Sequence, residues 1–368
     1  MKVTATKTFN NNNFDLLRIL AATQVLALHT ILHLHLTRPH GYSVFEAFQG
    51  VPMFFAISGY LISASYERNA GLKNYFKNRF FRIYPALWFV VILTVITASI
   101  VGGISFLNTH AIVWFFSQLA GVIYTPAFLK PYGIGSYNGS LWTIPIELQF
   151  YIVLPVIYFF ASKLFAKKPN SNQPFYIAWF LFLILAFYLW SAFPGMYTDT
   201  VLDAAKVIRY SFLPHFYIFL CGVILQRLSA STNPLIEGKG LYWVAAFLLF
   251  TYLVPHSTFY TIFSLLLLGI LTISLAYTLP GIATKLLKGN DISYGVYIYH
   301  GLIVNIFVQL GLIGHYKYLA MIMAITYVLA FISWKLIEKP MLRRKKKTIN
   351  LQLSKDDEPE FDIKLKTV

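Results

Sequence analysis

Long apolar runs, each broken by a short polar or basic interval, recur from residue 14 to about residue 338. A run of about 20 apolar residues has the length of a helix that crosses the hydrocarbon of a bilayer. About ten such runs are expected to be spans, approximately 14–36, 43–66, 80–101, 141–161, 175–193, 207–227, 241–255, 259–279, 291–311 and 318–338. The stretch from Ala111 to Tyr124 is also apolar, but it is short and as an extra span would reverse the topology after it. An interfacial or re-entrant helix near 111–124 is expected instead. It falls inside the largest outer connection, about 102–140, which continues through Pro126, Pro131, Gly133, Gly135 and Gly139. The pattern predicts an all-α polytopic membrane protein.

Composition narrows the class. Of 368 residues, 57% are hydrophobic, 18% aromatic and only 12% charged, and the mean hydropathy is +0.62. A soluble domain of this size does not carry that much apolar surface. The first apolar run lacks a small-residue cleavage site and is expected to be retained as a span. Cys221 is the only cysteine, which argues against disulfides, cysteine-based zinc sites and paired-cysteine redox chemistry. No i, i+4 histidine pair with an acid is present, and no metal is expected.

Charge sets orientation. A formal net charge of +16 could suggest nucleic acid, but its distribution points to a membrane surface. Arg68, Lys73, Lys77, Arg79 and Arg82 follow the second span, and Lys163, Lys167 and Lys168 the fourth. Arg227, Lys239, Lys285, Lys288 and the run from Arg343 to Lys347 fall on the same side. The other side carries only Arg38, Lys130, Lys206, Arg209 and Lys317. Basic loops stay cytoplasmic, so both termini are expected in the cytoplasm, with the excess charge facing anionic lipid. No nucleic-acid partner is expected. Residues 1–13, with Asn10 to Asn13, read as a disordered lead; 14–340 as one membrane domain; and 341–368 as a basic, then polar, cytoplasmic tail. Neither end is expected to form a second catalytic domain, and no internal repeat of the transporter kind is evident.

Ionisable groups at membrane depth are costly and point to function. Arg18 and His29 lie on one face of the first span, about three turns and roughly 16 Å apart. Glu147 is the only one of the fourteen acids well inside a span; Asp15, Asp291 and Glu338 lie at span ends. It sits roughly 9 Å below the outer edge, level with His29, so a His29–Glu147 pair is expected in which the carboxylate orients the imidazole. The alternative is a structural polar contact between helices. Arg79 and Arg82 share a face at the start of the third span, where two guanidiniums suit phosphate; charge alone explains them equally as topology signals. Ser58 and Gly59 in the second span fit close helix packing, or a bend with Ser58 facing a cavity. His300 in Ile292-Ser-Tyr-Gly-Val-Tyr297-Ile-Tyr-His300 and His215 beside Pro214 are placed inside spans nine and six; His33 and His35 fall near the outer interface.

Five strings in order resemble the acyltransferase-3 family of integral membrane acyltransferases, over about residues 14–340. They are Phe14-Asp-Leu-Leu-Arg18 through His29, Phe54-Phe-Ala-Ile-Ser58-Gly-Tyr60, Arg79-Phe-Phe-Arg82-Ile-Tyr-Pro85, Ser140-Leu-Trp-Thr-Ile-Pro-Ile-Glu147 onward to Tyr151, and Ile292 to His300. Leu17 and Pro145 depart from the family pattern, and Pro145 is expected to bend span four. The resemblance implies a ten-helix O-acyltransferase of the bacterial inner membrane. It would move an acyl group, commonly acetyl from acetyl-CoA, to an extracytoplasmic glycan or glycolipid such as O-antigen, lipopolysaccharide or capsule. It further implies that Arg18/His29 and Arg79/Arg82 are the functional signature. On that basis acetyl-CoA phosphates are expected on Arg79 and Arg82 with Arg18, and His29 as general base or acyl-carrying nucleophile. Glu147 is expected behind His29, Ser58, Tyr297 or His300 at the developing oxyanion, and Arg209 on an anionic acceptor. The alternative is a transporter or flippase of a lipid-linked glycan. The oligomeric state is left open.

Overall fold

A computed structural model describes residues 12–68, 71–168, 171–193 and 203–343, and the regular structure among them is entirely helical. The expected lead, apart from Asn12 and Asn13, and the tail beyond Arg343 lie outside the described residues. In chain order the helices are α1 (Phe14–His33), α2 (Tyr42–Ala47), α3 (Gly50–Arg68), α4 (Leu72–Gly102), α5 (Thr109–Leu119), α6 (Thr143–Leu164) and α7 (Gln173–Ala192). There follow α8 (Asp203–Arg209), α9 (Phe216–Arg227), α10 (Gly240–Leu253), α11 (Thr258–Ala276), α12 (Ile282–Leu287), α13 (Ser293–Gln309) and α14 (Tyr316–Ser333).

Among the described residues, seven helical stretches are long and apolar enough to cross a membrane: Phe14–His33, Tyr42–Arg68, Leu72–Gly102, Gly139–Leu164, Gln173–Ala192, Thr258–Ala276 and Tyr316–Arg343. The other expected spans correspond to shorter helices. The run expected to be helical over 207–227 is broken by a turn through Pro214, whose ring and missing N–H oppose helix continuation. The helix therefore starts at Phe216, and His215 stands at the N-cap position of α9 instead of within the helix. At 1.5 Å per residue, α9 extends only about 18 Å. Every residue from Phe216 to Val223 is nonetheless buried, as is every residue of α13 from Ser293 to Asn305. These two helices form the interior of the bundle, with other helices around them. The stretch expected near 111–124 becomes the 11-residue α5, about 16 Å long and too short to span. It is N-capped by Asn108, whose side chain accepts the Ala111 N–H at 2.8 Å.

Close backbone approach ties the bundle together. A Cβ on Gly59 of α3 would stand 1.9 Å from the Phe219 carbonyl oxygen, and one on Gly222 of α9 would stand 2.1 Å from that of Ala56. Each helix thus uses its glycine to admit the other's backbone, the small-residue packing common where apolar side chains gain little by leaving lipid. Pro145 falls in the first turn of α6, where its missing N–H costs nothing, so it starts the helix and does not bend it. Pro155 is the proline inside that helix. Helices α1 and α13 lie side by side in the same direction, their first turns joined through Arg18 and Asp291 and their later turns through His29 and His300.

Candidate active site

The site begins where α1, α4 and α13 bring their N-terminal parts together. Asp291 lies just before α13, and its Oδ1 accepts the Ser293 N–H at 3.2 Å and the Ser293 hydroxyl at 2.5 Å. That capping fixes the carboxylate at the positive end of the helix. Its Oδ2 is then free to accept Arg18 Nη1 at 2.8 Å and Arg82 Nη2 at 2.6 Å. The arginine side chains are 20% and 17% exposed and the aspartate 9%, so these pairs are largely removed from water. Asp15 stands 3.8 Å from Arg18 on its own helix. Glu338, buried in the π-helical turn Trp334–Glu338, accepts the Ser333 hydroxyl at 3.2 Å.

Arg79 is held differently. Its guanidinium lies 5.6 Å from the ring centroids of both Tyr75 and Tyr151, within cation–π range. Its Nε is buried without a hydrogen-bond partner. The Tyr151 hydroxyl donates to Glu147 Oε1. Two cavities meet here and share Arg18, Ser58, Arg82 and Glu147 on their walls. One also touches Asn78, Arg79 and Tyr151. The other reaches Thr143, Ser293 and Tyr297.

Beyond Tyr297 lies a pair of imidazoles. His29 Nδ1 and His300 Nε2 are 3.0 Å apart, and the Tyr297 ring is 5.9 Å from the His300 ring. His300 is fully buried, and its Nδ1 is 3.2 Å from the Val296 carbonyl oxygen. His33 stands edge-on to His29 with ring centroids 5.9 Å apart. The Tyr297 hydroxyl shares a hydrogen bond with Thr143 Oγ1 at 3.0 Å. The loop before α6 presses against this part of α13: Asn138 Nδ2 donates to the Ile298 carbonyl at 2.8 Å. A Cβ on Gly301 would stand 2.1 Å from Asn138 Oδ1.

The structure thus brings Arg18, Arg79, Arg82, Ser58, Glu147 and Tyr297 around connected cavities, with His29 and His300 in contact beyond them. It does not bring Glu147 to His29. Depth along a helix, which residue counting provides, leaves open which way the side chain points; α13 presents His300 to His29, while α6 turns Glu147 toward Ser58 and the arginines. Arg209 lines neither cavity: its guanidinium lies 6.0 Å from the Trp142 ring and 5.3 Å from that of Tyr210. His215 Nε2–H donates to the Arg209 carbonyl at 3.0 Å, and its ring packs against Phe55 and Trp142. Asp291 is the principal group that sequence reasoning passed over as a span-end acid. Its signal was its level, since Arg18, Arg82 and Asp291 all start their spans on the same expected side. Among the described residues, no three His, Cys, Asp or Glu side chains cluster in a way that could hold a metal ion.

The sequence model of the acyltransferase-3 family, described as an acyltransferase domain, matches residues 11–337. The chain is 29% identical over 373 residues to Nodulation protein 10 of Rhizobium leguminosarum bv. viciae, covering 94% of this chain and 97% of that protein. It is 26% identical over 354 residues to the O-acetyl transferase of Shigella phage Sf6, covering 93% and 99%. With Peptidoglycan O-acetyltransferase OatA of Listeria monocytogenes it shares 27% identity over 386 residues, covering 97% of this chain and 59% of that protein. No solved structure matches the chain.

Proposed function

The chain belongs to the acyltransferase-3 family, and from that membership and the buried arginines and histidines we propose that it is a membrane O-acetyltransferase whose acceptor is a hydroxyl of an extracytoplasmic glycan. Two of the relatives are named as O-acetyl transferases, one of them for peptidoglycan, which supports acetyl as the group and glycan as the class. Acyl-CoA is the proposed donor. In this reading the arginine end faces the cytoplasm, both termini lie there, and ten helices cross a bacterial inner membrane; the positive-inside distribution of Lys and Arg supports it.

The observation that carries the proposal is the line of side chains from Arg79, past Arg18, Arg82, Glu147 and Ser58, to Tyr297 and on to His300 and His29. Arg79 has a buried N–H without a partner and takes a phosphate of the donor, while Arg82 and Arg18, held by Asp291, present their remaining N–H groups. The pantetheine arm lies along the shared cavity and carries the thioester toward the imidazoles. Acting as general base, His29 takes the proton of the acceptor hydroxyl as its oxygen attacks the thioester carbonyl. The tetrahedral intermediate then expels the CoA thiolate, which receives that proton from His29. Acting as nucleophile, His29 first attacks the thioester carbonyl and expels the CoA thiolate, carrying the acyl group on its ring nitrogen; the acceptor oxygen then takes the acyl group, the nitrogen leaves, and the hydroxyl proton goes to the thiolate. Ser58 and Tyr297, on the cavity wall, offer hydroxyls toward the developing oxyanion. Glu147 acts from the arginine side, where its carboxylate balances the guanidiniums. Arg209, beside Trp142, serves an anionic acceptor.

Cells expressing His29→Ala at wild-type membrane levels are expected to lose acetyl from their surface glycan, read by mass spectrometry as a missing acetyl mass. Wild-type acetylation in that variant would rule out the assignment. Binding of acetyl-CoA to the purified protein, abolished by Arg79→Ala with Arg82→Ala, separates transfer from glycan transport, which needs no acyl-CoA.

A further inference from the structure

We infer that His300 is a positioning residue that holds His29 in the tautomer protonated at Nδ1, so that the reacting lone pair of His29 is on Nε2. The inference rests on His29 being the reacting imidazole proposed above. A carbonyl oxygen can only accept a hydrogen bond, so His300 Nδ1, 3.2 Å from the Val296 carbonyl, carries a proton. The Nε2 of the neutral ring then has only a lone pair to offer. That atom faces His29 Nδ1 at 3.0 Å, so His29 donates from Nδ1 and keeps its own lone pair on Nε2. Reversing the His300 tautomer would set its Nδ1 lone pair against the carbonyl oxygen in a place closed to water, since His300 is fully buried, and an unmade buried hydrogen bond is costly. The order of donors therefore runs from His29 to His300 to the backbone of α13.

The surroundings keep His300 in place. Asn138 bonds the Ile298 carbonyl, and Asn305 Nδ2 donates to the carbonyls of Gly301, at 2.7 Å, and Tyr137, at 3.2 Å. The outer loop is thereby clamped to the turns of α13 on either side of the histidine. When His29 takes a proton on Nε2, its Nδ1–H becomes the donor of a charge-assisted bond and the His300 lone pair accepts it more strongly. A neutral imidazole thus does for His29 what the sequence assigned to the carboxylate of Glu147: it orients the ring and selects the nitrogen that reacts.

The test uses the full-length protein in lipid nanodiscs, with nitrogen-15-labelled histidine. His29, identified by the signal missing in His29→Ala, is expected as a neutral ring protonated at Nδ1, the minority form of histidine in water. In His300→Ala that signal moves to the Nε2-protonated form, kcat with acetyl-CoA and an acceptor glycan falls about 100-fold, and KM for acetyl-CoA stays within about twofold. His300→Gln, whose amide oxygen can accept the same bond, retains kcat within about tenfold of wild type. A wild-type His29 protonated at Nε2, a His29 signal unmoved by His300→Ala, or equal losses in the Ala and Gln variants overturns the inference. A wild-type protein that shows the expected tautomer and transfers no acetyl overturns the proposed function instead.

Discussion

The two ends of the polar path solve opposite problems. At the arginine end, full charges are brought close together and two of the three guanidiniums share one anion: Asp291 takes Arg18 and Arg82 on one oxygen, and its other oxygen is tied to Ser293. At the histidine end, the described residues place no carboxylate against His29; its Nδ1 meets the His300 imidazole, which in turn meets a backbone carbonyl. Burying an ion costs far more than burying a hydrogen-bonded neutral group. A charged donor headgroup therefore suits the end built from partnered ions, and a neutral thioester suits the other. On the proposed function, the binding of charge and the chemistry occupy opposite ends of one pair of parallel helices.

The largest test of this division is the removal of Asp291. Asp291→Ala leaves two guanidiniums, each about a fifth exposed or less, without their shared anion. Breaking such a pair from one side destabilises by about 3 kcal/mol, toward the lower end for groups not fully buried. Thermal unfolding of the purified protein should show it as a clearly lowered Tm, while Asp291→Asn, still able to accept from Arg18, loses less. Equal stability in wild type and Asp291→Ala would mean that the arginines do not need the aspartate.

A smaller effect is expected at Arg79, and in a different quantity. Among the arginines on the cavity walls it is the one stacked on tyrosines, with a buried Nε lacking a hydrogen-bond partner. Arg79→Ala removes no ion pair among the described residues and should leave Tm nearly unchanged. A hydrogen bond to a charged ligand contributes about 1.5–3 kcal/mol, so the Kd for acetyl-CoA should rise about 10- to 100-fold and its salt dependence should weaken. Lower stability with unaltered affinity would make Arg79 a structural residue and move donor binding elsewhere.

Much of this arrangement was readable from the amino-acid order. Apolar run length located a helix for each expected span, since the hydrophobic requirement of a crossing helix is met locally. It overestimated the helices at 216–227 and 293–309, because interior helices sheltered by neighbours need not match bilayer thickness. The Arg18–His29 stripe could be read because two groups on one helix have a fixed relation. Partners on different helices could not. Glu147 was matched to His29 by depth, and depth carries no direction around the axis. Asp291 falls at a span end, which by itself says nothing of burial; the Ser293 N–H and hydroxyl that it accepts and the approach of α1 and α4 bury it.

Tyr297 marks the border between the two ends and gives the smallest expected effect. Its hydroxyl is shared with Thr143 Oγ1 at 3.0 Å, its ring lines the cavity of the arginines, and the same ring stands 5.9 Å from His300. Tyr297→Phe keeps the ring and deletes one hydrogen bond, leaving Thr143 to rotate toward another acceptor. Stability should fall by about 1 kcal/mol. Because the hydroxyl is already engaged by Thr143, only part of its donor strength is available to a thioester oxygen, and kcat should fall no more than about tenfold, well short of a dedicated oxyanion donor. A fall of about 100-fold or more, with Kd for acetyl-CoA unchanged, would place the reacting carbonyl at the level of Tyr297 and shift the boundary between binding and chemistry one turn toward the arginines.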